Sequence, residues 1–288
     1  MADRSSIVFA DTSIAIALFV HSPETKLRIR EQLSQHKLKW TSLVVRQEFK
    51  RRLLKEAYYL DRKLDQLGTY KRVHRDVATH LPPQWQRKRN ICLDTLSTVD
   101  EMDNEQDKTD RLRLFLKYLL ERGTVKFERF FDFIVEDSGS ACGRQDVRKD
   151  LQGKYNFGPQ RCSKVQGLCG IEQFLSSRKN QVMMIRDLIH KDGIGNVAKT
   201  REINNSEDFI ECFLREPNNI QTRDPCLTTG DLIIALESAR AGNFYTMNAK
   251  ESQFFCRALN QGLIVRKKHP KHQDIVCDAV DEKWPIFS

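Results

Sequence analysis

The chain has no paired cysteine motif. Its eight cysteines, Cys92, Cys142, Cys162, Cys169, Cys212, Cys226, Cys256 and Cys277, are scattered without a single CxxC. That removes the strongest signatures of a zinc knuckle or a thioredoxin-like redox centre. Long apolar runs are missing too: nothing approaches the ~18–20 residues of a membrane-spanning helix. Ile14 to Val20 is apolar, but Asp11 interrupts the segment and no small-residue cleavage site follows cleanly, so no secretory leader is expected. Reduced thiols and a cytoplasmic location are the expectation that goes with it. Internal repeats and low-complexity tracts are also absent, which argues against a solenoid or a disordered linker protein.

What remains is long enough for one large domain or two small ones: 288 residues, 40 % of them hydrophobic. The mean hydropathy of −0.56 allows a core beneath a strongly polar surface. Charged residues are 30 % and the formal net charge is +9. A basic balance of this size favours a polyanionic partner such as nucleic acid, and no membrane.

Ser6 to Ala10 reads as a short buried strand, and Asp11-Thr12-Ser13 as the start of a helix with Thr12 or Ser13 as its N-cap. Leu38 to Thr41 reads as a second strand. Ser42 to Leu60 reads as a helix, because Leu43, Val44, Phe49, Leu53, Leu54 and Ala57 recur at helical spacing. From about residue 58 to 220 the pattern is mainly helical and highly charged, with Pro82-Pro83 as a helix break. Asp100 to Asp110 carries six acids against Lys108 and reads as a solvated helix start or loop. Leu112 to Leu120 is an amphipathic helix, and Phe127, Phe130, Phe131, Phe133 and Ile134 form an aromatic cluster that belongs in a core. Gly139 to Gly170 reads as irregular. Strand-and-helix units return at the end: a helix from Asp231 to Arg240, a strand from Asn243 to Met247, a helix from Ala249 to Leu259 and a strand Leu263-Ile264-Val265.

Four acid or amide residues stand at strand ends or in helices near them: Asp11, Glu48, Asp231 and Asn248. The carboxyl rim of a parallel sheet is where open α/β proteins place their sites. Oxygen ligands converging there suit Mg²⁺ or Mn²⁺, and such ions drive phosphodiester cleavage. Each acid alone also fits a surface carboxylate or a helix cap.

In order, Val8-Phe9-Ala10-Asp11-Thr12-Ser13, Thr41-Ser42 through Glu48, Gly230-Asp231-Leu232-Ile233-Ile234-Ala235 and Phe244-Tyr245-Thr246-Met247-Asn248 resemble the acid-bearing segments of PIN-domain ribonucleases. The resemblance covers residues 5–57 and 226–268. It implies an α/β, PIN-like (Rossmann-like) parallel sheet flanked by helices: a discontinuous nuclease domain over 1–57 and 221–288, with a helical insertion, 58–220, between the second and third acids. It implies metal-dependent hydrolysis of phosphodiester bonds by an endoribonuclease acting on single-stranded or structured RNA, leaving 5′-phosphate and 3′-hydroxyl ends. Asp11, Glu48 and Asp231 would hold Mg²⁺ or Mn²⁺, with Asn248 as a second-tier ligand. Thr12, Ser13 and Thr246 would support the carboxylates. The chain departs from the family at Asn248, where an Asp is usual, with Glu251 one turn on as a candidate to compensate, and in the length of its insertion.

Substrate grip would come from basic residues: Arg46, Lys50, Arg51 and Arg52 with Lys55 around Glu48; Arg266, Lys267 and Lys268 with His269; Lys71-Arg72 with His74-Arg75; and Arg87-Lys88-Arg89 beside Trp85. Trp85 reads as helix-end packing, or as a base-stacking platform. Cys142, Cys162 and Cys169 with His190 form a candidate zinc set of irregular spacing, against buried free thiols as the plain reading. Three functions stay open: an endoribonuclease, including a toxin or defence effector held in check by a partner; a DNA nuclease of the same fold; and a degenerate PIN-like RNA-binding scaffold. An inhibitory or activating protein partner and homo-oligomerisation stay open alongside them.

Overall fold

A computed structural model describes residues 3–138, 147, 149–153, 155–157, 170–192, 201–215, 230–266 and 273–278. After a 3₁₀ turn at Arg4–Ser6, the chain runs β1 (Ile7–Ala10), α1 (Thr12–Val20), α2 (Pro23–Ser34) and β2 (Leu38–Ser42). Then come α3 (Leu43–Phe49), a π-helical turn (Lys50–Leu54), α4 (Lys55–Leu67), α5 (Tyr70–His80) and α6 (Gln86–Ser97). The long α7 (Glu105–Phe130) leads into β3 (Phe133–Val135). Helices α8 (Ile171–Ser177), α9 (Lys179–Asp192), α10 (Arg201–Arg215) and α11 (Gly230–Ser238) precede β4 (Asn243–Thr246), α12 (Ala249–Ala258), β5 (Gly262–Val265) and β6 (Ile275–Cys277).

The strands form one six-stranded sheet in the order β3-β2-β1-β4-β5-β6. The first five are parallel and β6 is antiparallel to β5. All four residues of β1 are buried, as expected of a central strand covered by helices on both faces. Across its junction with β4, Phe9 and Phe244 stack with ring centroids 5.7 Å apart. The chain reverses its direction of travel along the sheet at this junction, since β2 and β3 lie to one side of β1 and β4 to β6 to the other.

Helix boundaries follow the local chemistry. Ser22 caps α2, whose first position is Pro23, a residue with no N–H to lose there. Thr69 caps α5. Asn104 caps α7, and Glu105 and Asp107 stand in its first turn, where the helix dipole favours negative charge. The acidic stretch is therefore a helix start. α7 buries Leu112, Leu116, Leu119 and Phe127. Burying such a side chain contributes about 1.5–3 kcal/mol each. Phe49 lies between Phe19 and Phe127, with centroids 4.9 Å from each, and so locks α3 to α1 and α7.

Several expectations are corrected. The side chain of Asp11, not Thr12 or Ser13, caps α1 by accepting from the Ile14 N–H. The helix that carries Glu48 continues past Leu60 to Leu67 and contains a π-helical turn. Of the aromatic cluster, Phe127 and Phe131 are buried, while Phe133 is 51 % exposed. Phe133 belongs to β3, an edge strand paired with β2; three residues are too few to show the period-two alternation that marks a strand. The largely helical stretch from 58 to 220 thus adds a strand to the sheet. One hydrophobic cluster takes in Phe9 and Ile14 together with Val73, Leu96 and Leu116. A second joins α8, α9 and α10 to α11 and α12 through Leu175, Ile185, Ile210, Leu236 and Phe255. Among the described residues no helix is long and apolar enough to cross a membrane.

Candidate metal centre

The carboxyl ends of β1 and β4 lie side by side and are stitched together by side chains. The backbone N–H of Asp11 donates to the Tyr245 carbonyl at 3.1 Å. Asp11 is 8 % exposed. Its Oδ1 accepts from the Ser13 hydroxyl at 2.7 Å and the Ile14 N–H at 3.0 Å, and its Oδ2 from the Thr246 hydroxyl at 2.6 Å. Burial pushes its pKa up, and these donors work against that rise. Both hydroxyls also accept: Ser13 from the Met247 N–H and Thr246 from the Asn248 N–H, each at 2.8 Å. Ser13 and Thr246 therefore fix the Asp11 carboxylate and the turn after β4 at once.

Glu48, in the last turn of α3, reaches the same rim. Its Oε2 accepts from the Thr12 hydroxyl at 2.7 Å, and its Oε1 faces Arg52 Nη2 at 3.1 Å. The π-helical turn carries Arg52; such turns recur at functional positions. Asp231 stands in the first turn of α11. It is exposed on its open side, yet the protein packed around the rest of it pushes its pKa up to about 6; the nearby negative charges of Glu48 and Asp11 add to the rise, and Arg52 and Arg87 oppose it. A Cβ on Gly230 would stand 3.2 Å from Glu48 Oε1, so any larger residue there would push the glutamate carboxylate aside by a few tenths of an ångström. Asn248 is the N-cap residue of α12, but its side chain makes no capping bond and is exposed.

Asp11, Glu48, Asp231 and Asn248 thus line one pocket, with Thr12, Ser13 and Arg52 in its wall. The free space is about 20 Å³, room for an ion or a water and no more. Among the described residues no three His, Cys, Asp or Glu side chains form a ready-made metal cage; Glu48 is engaged by Thr12 and Arg52 instead. The donors themselves, three carboxylates and an amide oxygen, are the hard-oxygen set that Mg²⁺ or Mn²⁺ takes. The side chain of Glu251 lies outside the described residues.

Several of the basic candidates are committed elsewhere. Arg46 pairs with Glu128 at 2.7 Å. Lys50 is buried and donates to the Val147 carbonyl at 3.4 Å. Arg266 is 2 % exposed and pairs with Asp274 at 2.8 Å, so it ties the end of β5 to the approach to β6 and does not face a ligand. Arg51 is half-buried on the π-helical turn. Lys267, Lys268 and His269 lie outside the described residues. Among the described residues, Arg52 alone of the basic candidates named around Glu48 and after β5 lines the acidic pocket. Lys88 sits 3.6 Å above the Tyr59 ring and 3.4 Å from Glu56, a packing role. Trp85 is 50 % exposed, not packed away at the helix end. Cys142, Cys162 and Cys169 lie outside the described residues, and His190 pairs with Glu207 and Glu211 at 3.2 and 3.6 Å. Among the described residues, Cys92, Cys212, Cys256 and Cys277 are in no disulfide.

The fold and site together define an α/β protein with a mostly parallel sheet and an acidic pocket at its topological switch point. No protein-family model, curated protein or solved structure matches the chain.

Proposed function

We propose that the chain is a PIN-like, metal-dependent endonuclease that hydrolyses phosphodiester bonds, with RNA as its substrate ahead of DNA. One observation carries this: Asp11, Glu48, Asp231 and Asn248, from four distant segments, line one pocket where the sheet changes direction. Open α/β sheets bind their ligands at that place. Asp11, Glu48 and Asp231 would hold the ion, and Asn248 would supply a neutral oxygen. A bound Mg²⁺ or Mn²⁺ supplies acidified water and charge neutralisation at the phosphate. Thr12 holds the Glu48 carboxylate, and Ser13 and Thr246 hold that of Asp11, so the acids keep their positions while the substrate exchanges. Cysteines outside any disulfide and the basic net charge fit a cytoplasmic nucleic-acid enzyme.

A second reading, nucleic-acid binding without cleavage, draws on Arg52. Its guanidinium pairs with Glu48 and stands where a cation would be welcome, and Asn248 removes one charge from the set. Cleavage of labelled single-stranded RNA and DNA with Mn²⁺ or Mg²⁺ decides between the two. The nuclease reading expects cutting that is lost with EDTA and in Asp11→Asn, and an Mn²⁺-dependent rise in melting temperature that Asp11→Asn diminishes. No cutting and no Mn²⁺ effect on melting would leave the binding reading.

A further inference from the structure

A larger cavity opens beside the acidic pocket. It is an open cleft of about 630 Å³ and shares Ser13, Arg52 and Asn248 with that pocket. One wall is α1 and the residue that follows it, through Ile16 and His21; the other is α6, from the helical stretch that the resemblance to PIN domains does not cover. Gln86, Arg87, Asn90, Ile91 and Asp94 recur at helical spacing, so one face of α6 is turned to the cavity. The volume lies in the ~300–1,000 Å³ range of sites that enclose a ligand of nucleotide size.

We propose that this cleft seats one nucleotide unit of a single strand, adjoining the phosphate presented to the acidic pocket. Arg52 and Arg87 stand at the end next to the carboxylates, and their planar forks suit a phosphate. No side chain caps the first turn of α6, and its positive dipole end adds to theirs. Two turns along α6, about 10 Å away, Asp94 pairs with His21 at 3.6 Å. A carboxylate there repels phosphate, so the strand enters with its phosphate towards Arg87 and its base towards Asp94. Ile16, Ile91 and Leu93 offer the base an apolar floor. The exposed amides of Gln86 and Asn90 can donate to and accept from a base edge, which phosphate contacts alone cannot do. The fold thereby gives the helical stretch a task, the wall that selects single strands.

The cleft rests on the nuclease reading only for the position of the bond to be cut, so its test avoids cleavage. Fluorescence anisotropy in EDTA would follow a labelled single-stranded 12-mer, as RNA and as DNA, on the full chain. The cleft predicts single strand over the matching duplex by at least tenfold, and about tenfold weaker single-strand binding in Arg87→Gln. Asn90→Ala should change the ranking of the homopolymers while leaving the melting temperature unchanged. Equal affinity for duplex and single strand would overturn the proposal, as would wild-type binding and base ranking in both variants. Competition by a free nucleoside monophosphate as strong as by the strand would also overturn it, naming a free nucleotide as the ligand. Single-strand binding that needs Arg87, in a chain that cuts nothing with Mn²⁺, would uphold the cleft while the nuclease reading falls.

Discussion

Replacing Thr246 by Val probes the node on which the site depends. The exchange keeps the shape and removes the hydroxyl. Two hydrogen bonds go with it: the donation to Asp11 Oδ2 at 2.6 Å and the acceptance from the Asn248 N–H at 2.8 Å. The first involves a buried carboxylate and stabilises by about 1.5–3 kcal/mol. The second serves an amide at the pocket rim, where water replaces part of it, and contributes about 0.5–1 kcal/mol. The sum, about 2–4 kcal/mol, corresponds to a fall in melting temperature on the order of 3–7 °C for a chain of this size. Thr246→Ser retains both bonds and should lose much less. The loss has a sign in pH. Burial already raises the Asp11 pKa, and removing a donor raises it further. The charged carboxylate therefore suffers most, and the deficit of Thr246→Val should narrow as the pH falls and Asp11 takes up a proton. Scanning calorimetry of wild type and both variants at pH 7.5 and pH 5 measures this. Equal melting of the Val and Ser variants at pH 7.5, or a deficit that widens on acidification, would refute the reasoning.

Gly230→Ala places a Cβ 3.2 Å from Glu48 Oε1, and the glutamate side chain yields more readily than a backbone would. The expected outcome is cleavage reduced tenfold or more with melting within ~2 °C of wild type; unchanged cleavage would show that Glu48 is not held where the chemistry needs it. Glu237, 1 % exposed on α11, accepts from the Ser138 N–H at 3.1 Å, and burial pushes its pKa from the ordinary 4.5 up to about 7. Its neutral form favours the fold, so stability is full below about pH 4.5 and falls as the pH rises towards about 7, by at most about 3 kcal/mol. Glu237→Gln should remove that slope and be more stable than wild type at pH 8 in urea unfolding; parallel pH profiles would contradict the assignment.

The strand ends were legible because a parallel sheet writes itself locally. Val8-Phe9-Ala10 and Leu263-Ile264-Val265 are short apolar runs, and each needs only its own residues to be read. The acids were legible because they follow those runs or open a helix. What escaped was non-local. Arg266 looks in sequence like the head of a basic cluster, yet its charge is spent on Asp274 inside the protein. Arg46 and Glu128 are separated by 82 positions and meet only in the fold. The π-helical turn at Lys50–Leu54 has no period of its own in the pattern, and β3 is too short to show one. The contribution of α6 to the cleft could not be read from Gln86 or Asn90, since it depends on where α1 carries Ile16 and His21.

The acidic pocket is itself an argument for function, because a fold without one would be simpler to hold. Three carboxylates face about 20 Å³ of space, and like charges at such range oppose folding. The chain answers with hydroxyls from Thr12, Ser13 and Thr246, the N–H of Ile14, the first turn of α11 and the guanidinium of Arg52. Even so, Asp231 is left with a pKa near 6. One apolar substitution at Glu48 or Asp231 would dissolve the conflict. Keeping the charges and building donors around them is what a ligand-binding centre requires, and strongly perturbed acids clustered in a cleft are the physical mark of one. Arg52 pairs with Glu48 and lines both the acidic pocket and the neighbouring cleft; under the proposed function, a cation taken up by the carboxylates would free its guanidinium to meet a phosphate.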